Sequence, residues 1–258
     1  MSQLRLNPLT GRWVTVAVDR ASRPADFAPF ASQLFRAMQV RDGRTRGFDL
    51  HLARLLAAHP EIYGRELSGD LVRDRIRHAL GGQPDASVRV YGYWAGLIVT
   101  VRDPRQLPPR SHSMTAQHFQ RPLARLKHAG SWGQGRFSAL AAAAGFDEGL
   151  LVDETGRISE GTITNVGFWR DGTVIWPDGP RLDGVTMLVL RRELARSGVP
   201  QAQACVRVQD LADYEGMILC NARGWAPVSR VDDLPIAHDE VFTAAIAAAY
   251  DGCPRDEI

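Results

Sequence analysis

The sequence is nearly devoid of lysine. Of 31 basic residues in 258, all but one are arginine, and the exception is Lys127 in "RPLARLKHAGSW" (121–132). An arginine bias replaces solvated surface lysines easily. It cannot replace a lysine whose chemistry needs a neutral primary amine, because a guanidinium stays protonated. A lone lysine in an "LK" step reads either as a chance surface survivor or as a retained amine, and the lack of any sibling favours the second.

Other shortages narrow the class. Three cysteines (Cys205, Cys220 and Cys253) form no close-spaced pair, so they read as free thiols of a reducing compartment, neither a disulfide scaffold nor a zinc site. A net charge of +2 gives no electrostatic ground for binding nucleic acid or an anionic membrane. No run approaches the roughly 18 apolar residues of a membrane span, and "MSQLRLNPLTGRW" lacks the apolar stretch of a signal peptide. The expectation is a soluble, cytoplasmic protein. With 45% hydrophobic and 23% charged residues, the chain is long enough for one large or two modest cores.

"RWVTVAV" (12–18) alternates like a strand, and residues 32–60 read as strand, "DG" turn, strand and helix. "SGDLVRDRIRHALGG" (68–82) is a helix with Ser68 as N-cap and Gly81 as stop, and "SVRVYGYWAGLIVTVRD" holds two more strands. The prolines of "DPRQLPPRS" mark a linker at about 103–111. Beyond it, "HSMTAQHFQ" reads as a strand and "RFSALAAAAGF" as a helix. "DEGLLVDETGRISEGTITNVGFWRDGTVIWP" reads as an antiparallel meander, "DGVTMLVLRRELARSG" as a helix ending at Gly198, and "DEVFTAAIAAAY" as a terminal helix. The fold expected is α+β in two domains: a smaller one over 1–105 and a larger one over 111–258 that carries Lys127.

Three further features each have two readings. Glu160, in "RISEGTITNVGF", is an exposed strand carboxylate or a buried partner of a protonated ring nitrogen. "DGVTMLVL" opens a helix either with Asp183 as an ordinary N-cap or with free N–H groups aimed at a phosphate. Arg54, in "HLARL", is a helix-surface arginine or a bidentate phosphate ligand. An amine for an aldehyde, a carboxylate for a cationic ring nitrogen and a cradle for a phosphate together describe pyridoxal 5'-phosphate.

The segments "VRDGRTRGFDLHLARL", "LKHAG", "AGFDEGLLVDETGRISEGTITNVGFW", "LDGVT" and "LCNARGWAPV" stand in the order and near the spacing of one family. From about residue 30 to about 235 the chain resembles the class IV aminotransferases, the pyridoxal-phosphate fold type IV group of branched-chain and D-amino-acid aminotransferases and aminodeoxychorismate lyases. The resemblance implies a two-domain homodimer with the cofactor between the domains. It makes Lys127 the Schiff-base lysine, Glu160 the ring-nitrogen partner, and Arg54, Val185 and Thr186 phosphate ligands. Asn221 and Ala222 fall beside the phosphate and substrate. Phe35, Arg89 and Trp132 fall in the substrate pocket.

The substrate side departs from every subfamily. Trp132 stands where branched-chain enzymes have a tyrosine, Phe35 lacks the hydroxyl of D-amino-acid enzymes, Ala37 replaces the lyase threonine, and Met187 replaces the usual arginine after Thr186. The expected activity is a ping-pong aminotransferase acting on an amino acid or amine and a 2-oxo acid. The alternatives are a lyase forming 4-aminobenzoate and a pyridoxal-phosphate-binding protein without turnover. A separate stretch, "LNPLTGRWVTVAVDRASRPADF" (6–27), is similar to the start of galactose-1-phosphate uridylyltransferases, but the His-x-His of that chemistry is absent from the sequence.

Overall fold

A computed structural model describes residues 2–6, 13–18, 34–94 and 96–258. Most of the uridylyltransferase-like stretch lies outside the described residues. The chain divides into two compact units: residues 1–105 with Leu126–Gly130 and Arg255–Ile258, and residues 106–125 with Ser131–Pro254.

The first unit is an antiparallel sheet of five strands: β1 (Ser2–Leu6), β2 (Trp13–Val18), β3 (Leu34–Val40), β5 (Ala86–Tyr93) and β6 (Gly96–Arg102). Their order is β1-β2-β6-β5-β3, which leaves β3 at an edge. Period-two alternation on β3 buries Leu34, Met38 and Val40 and leaves Phe35, Ala37 and Gln39 half-buried on the other face. Asp42 and Gly43, both at positive φ, turn the chain from β3 into β4 (Arg44–Arg46). The helix α1 (Phe48–Tyr63) and the helix α2 (Gly69–Leu80) contribute Phe48, Leu55, Val72 and Ile76 to the same core. As the sequence predicts, Ser68 caps α2 by accepting from Leu71 N–H, and left-handed Gly81 ends it. The C-terminal β16 (Arg255–Glu257) pairs with β4.

The second unit is built on one long mixed sheet. Its strands are β7 (His112–His118), β8 (Glu148–Val152), β9 (Ile158–Gly161), β10 (Asn165–Arg170), β11 (Thr173–Pro177), β12 (Gln201–Ala204), β13 (Gly216–Asn221), β14 (Gly224–Val231) and β15 (Leu234–Pro235). The order is β12-β11-β10-β13-β14-β7-β8-β9, with β15 on β14. The strands β8, β9, β10 and β13 are almost wholly buried, which explains why they read as apolar runs rather than as clean alternation. The helix α3 (Trp132–Ala143) lies beside β8 and β7, while α4 (Val185–Arg196) and α5 (Glu240–Gly252) pack on each other.

Two expectations change. The meander is not continuous, because the chain breaks between β9 and β10. There the buried Glu148 carboxylate accepts from Thr162 Oγ1 (2.5 Å) and Ile163 N–H (2.8 Å). β9 therefore pairs with β8 at one end of the sheet, while β10 pairs with β11 and β13. Glu160 sits next to that break. The second difference concerns Lys127, which was assigned to the domain over 111–258, whereas residues Leu126–Gly130 group with the first unit. The physical reason is Leu126, which is 5% exposed and belongs to the first unit's core.

The cysteines are free, with Cys205 exposed and Cys220 and Cys253 buried. No helix among the described residues is long and apolar enough to cross a membrane. Because Leu126 anchors the lysine segment through core packing, Leu126→Ala should destabilise the first unit by about 2–5 kcal/mol, as read from the midpoint of urea unfolding.

Candidate active site

Lys127 is held from two sides. Leu126 buries its side chain, and the N–H of Phe35 donates to the Lys127 carbonyl (2.8 Å), with a bridge between Leu34 and His128 extending the contact along the edge of β3. The half-buried Lys127 Nζ stands 4.6 Å from the centroid of the Phe35 ring. Opposite Phe35 on the neighbouring strand is Tyr91, stacked at 6.0 Å, and opposite Ala37 is Arg89. Phe35, Ala37, Arg89 and Tyr91 therefore share one face of the first unit's sheet.

The same unit carries Arg54, half-buried on α1, and one turn before it His51, 6% exposed with its Nδ1 lacking a hydrogen-bond partner. Burial, followed by the charges of Arg54, Arg36 and Lys127, holds the His51 imidazole well below its usual value. His51 is thus a neutral ring among cations. It was not singled out in the sequence, although it stands three residues before Arg54 in the quoted "HLARL".

In the second unit Glu160 is 4% exposed. Its Oε1 lies 3.3 Å from Arg121 Nη1, and its Oε2 accepts from Leu182 N–H (3.2 Å). Burial lowers the Arg121 pKa, and Glu160 opposes that shift. Arg121 opens the lysine segment by position, yet sequence reasoning assigned it no role. An ion pair so deeply buried is poor evidence of stability.

Leu182 also connects Glu160 to the start of α4. Its carbonyl accepts from Asn165 Nδ2 (2.7 Å), and Gly184 stands at the helix N-cap. Asp183, the N-cap in one of the two readings of this segment, lies exposed and ion-paired to Arg181 at 3.5 Å, and Gly184 takes the N-cap position. No side chain caps α4 at Gly184, so the first-turn N–H groups of Val185 and Thr186 suit an anion. Thr186 Oγ1 donates to the Asn221 carbonyl (2.7 Å), and Asn221 Oδ1 accepts from Arg223 N–H (2.8 Å), forming a tight turn around Ala222. Val185, Thr186, Asn221 and Ala222 are thus neighbours, and Met187 is buried in the core beneath them. Trp132 opens α3 and is 77% exposed.

Gly184 has ordinary extended backbone angles, so space and not conformation demands a glycine there. A Cβ at this position would collide with Asn165 Oδ1. Gly184→Ala should therefore push Asn165 off Leu182 and destabilise the protein by about 1–3 kcal/mol. Adding Asn165→Ala should recover part of that loss in urea unfolding. His51 makes a second prediction. Its folded pKa is depressed, so its contribution to stability is present above its unfolded value of about 6.5 and is lost as pH falls below it. The His51→Gln variant should lose less stability than wild type between about pH 6.5 and pH 5, measured by thermal unfolding at each pH.

Residues 33–231 match the class IV amino-transferase family. The chain is 27% identical over 106 residues to a protein of Synechocystis sp. assigned as a branched-chain-amino-acid aminotransferase; the match spans 40% of this chain and 35% of that protein. Among solved structures, an aminotransferase from Brucella abortus bound to pyridoxal phosphate superposes with a TM-score of 0.78 at 21% identity, covering 95% of this chain and 97% of that one. A Legionella pneumophila protein assigned as a 4-amino-4-deoxychorismate lyase superposes with a TM-score of 0.80 at 15% identity, covering 90% and 96%. These likenesses show the fold of the type IV pyridoxal-phosphate enzymes. With more than half of its length matched by the family, the chain belongs to the class IV aminotransferases.

Proposed function

We propose that the protein is a pyridoxal-phosphate-dependent aminotransferase that moves an amino group from an amino acid or amine to a 2-oxo acid in ping-pong fashion. The observation that carries this reading is that the chain's one lysine is also the amine fixed at both its backbone and its preceding side chain. The residues fit the cofactor in two further respects. Glu160 is a deeply buried carboxylate with fixed partners, and α4 begins with an uncapped turn behind a glycine whose Cβ has no room.

When bound, pyridoxal phosphate supplies an aldehyde that condenses with amines and a ring that stores the electron pair released at the substrate carbon. Lys127 Nζ would hold the aldehyde, and its free amine would move the α-proton of the substrate. Glu160 would keep the ring nitrogen protonated, and Arg121 and Leu182 hold that carboxylate still. Arg54 on the first unit would serve as a phosphate ligand, and so, on the second, would the N–H groups of Val185 and Thr186, beside the turn of Asn221 and Ala222. The face carrying Phe35 and Arg89 receives the substrate, with Arg89 as a partner for a carboxylate. Trp132, exposed as it is, suits contact with a second copy of the chain, and a homodimer is the assembly that this reading expects.

The second reading is a lyase acting on the same cofactor, supported by "LKH" and "LCNA" and opposed by Ala37, which offers no hydroxyl on the substrate face. Conversion of bound cofactor to pyridoxamine phosphate by an amino donor supports the aminotransferase. Pyruvate release with the cofactor unchanged supports the lyase instead, and no response to any amine leaves a binder without turnover. Borohydride reduction of the cofactor-loaded protein should label Lys127 alone, and a label confined to the N-terminal amine would sink the proposal. Glu160→Gln should retain the cofactor and lose roughly one to two decades in rate, the cost of about 1.5–3 kcal/mol for a charge-assisted hydrogen bond. Light scattering at micromolar concentration should report a dimeric mass.

A further inference from the structure

Arg36 breaks the pattern of its own strand. The other core-facing side chains of β3 are Leu34, Met38 and Val40, and among them Arg36 is only 1% exposed. An arginine in that row contradicts the binary pattern that makes the strand. Its Nη1 donates to the Phe35 carbonyl (2.6 Å) and its Nη2 to the Arg54 carbonyl (2.6 Å). Its Nε is buried without a hydrogen-bond partner, and no carboxylate among the described residues pairs with it. Burial, followed by the Arg54 charge, lowers its pKa, yet a guanidinium starts high enough to remain a cation. A buried charge without a counter-charge is costly in the ligand-free protein.

The fork has a functional address. Arg54 is the phosphate ligand of the reading above, on which this inference rests. Phe35 is the residue whose N–H holds Lys127 and whose ring lies beneath Nζ. One guanidinium therefore ties the carbonyls at both ends of the first unit's cofactor residues. Among the described residues, the charges acting on Arg36 and on the neighbouring His51 come from Arg54, Arg36 and Lys127, and none is an acid.

We propose that Arg36 is a positioning residue for the phosphate end of the cofactor: it fixes Arg54 to β3, and its own uncompensated charge finds its counter-charge in the bound phosphate dianion. The role is electrostatic and geometric at once. Arg36 strains the empty protein and favours the loaded one.

The test uses the full chain stripped of cofactor, with pyridoxal phosphate and its dephosphorylated form, pyridoxal, titrated separately and followed by absorbance and calorimetry. Arg36→Met keeps the volume and removes the charge. It should weaken pyridoxal phosphate binding by about ten-fold or more, change pyridoxal binding by less than about two-fold, and leave the melting temperature of the ligand-free protein equal or higher. Arg36→Lys keeps the charge without the fork and should fall between wild type and Arg36→Met for pyridoxal phosphate. Equal loss for both ligands, or a lower ligand-free melting temperature with unchanged pyridoxal phosphate affinity, would show a merely structural arginine and overturn the proposal. Should Arg36→Met fail to fold, an Arg36→Lys variant with wild-type pyridoxal phosphate affinity and a lowered ligand-free melting temperature overturns it as well. A wild-type protein that binds neither ligand defeats the cofactor reading itself. A wild type that binds pyridoxal phosphate no more tightly than Arg36→Met does defeats only the role of Arg36.

Discussion

The hydrogen bond from Phe35 N–H to the Lys127 carbonyl is the contact on which the first unit's chemistry depends. It lies on the exposed edge of β3, where an unpaired ladder of N–H and C=O groups would otherwise face solvent. The lysine segment closes part of that edge and gains a fixed backbone in return. Leu126, inserted into the core, supplies the apolar burial that a short loop segment lacks, so the segment is held by packing as well as by hydrogen bonding. Lys127 is consequently half-buried over an aromatic ring, a setting that suits an amine required to react rather than merely to be charged.

In the second unit a corresponding role falls to Leu182, through its backbone alone. Its N–H holds one oxygen of Glu160 and its carbonyl takes the amide of Asn165. The carboxylate, the strand β10 and the approach to α4 are thereby locked to one another within a few residues. Gly184 completes the arrangement by letting the Asn165 side chain come close enough to make its bond. This loop is the reason that "SEGTITNV" and "LDGVT", about twenty residues apart in sequence, behave as one element. Beyond the break between β9 and β10, where Glu148 binds Thr162 and Ile163, Asn165 opens β10 opposite Cys220 while its side chain reaches Leu182.

The two units place ionisable groups where an ordinary core would be apolar. Arg36 and His51 interrupt apolar surfaces of the first unit, and Arg121 with Glu160 does so in the second. Such groups weaken a fold considered by itself. Their concentration around Lys127, Arg54 and the start of α4 marks the same regions that the family motifs occupy, reached here from burial and charge alone.

Local features were legible from the sequence because their causes are local. The "DG" turn after β3, Ser68 and Gly81 around α2, and the α4 helix ending near Gly198 follow from turn and cap chemistry that neighbouring residues determine. The amine of Lys127 stood out through composition, and Glu160, Val185, Thr186 and Asn221 through motifs of short spacing. What only the tertiary structure decided involves partners far apart along the chain. Alternation alone predicts an aliphatic residue where Arg36 lies, and nothing near residue 36 announces the Arg54 carbonyl eighteen residues on. Asp183 had the residue type of an N-cap, but the competition was won by Arg181 and by the demand for space at Gly184. The unit to which Lys127 belongs was likewise settled by the burial of Leu126 against strands more than thirty residues away, a contact that proline-rich punctuation at 103–111 cannot encode.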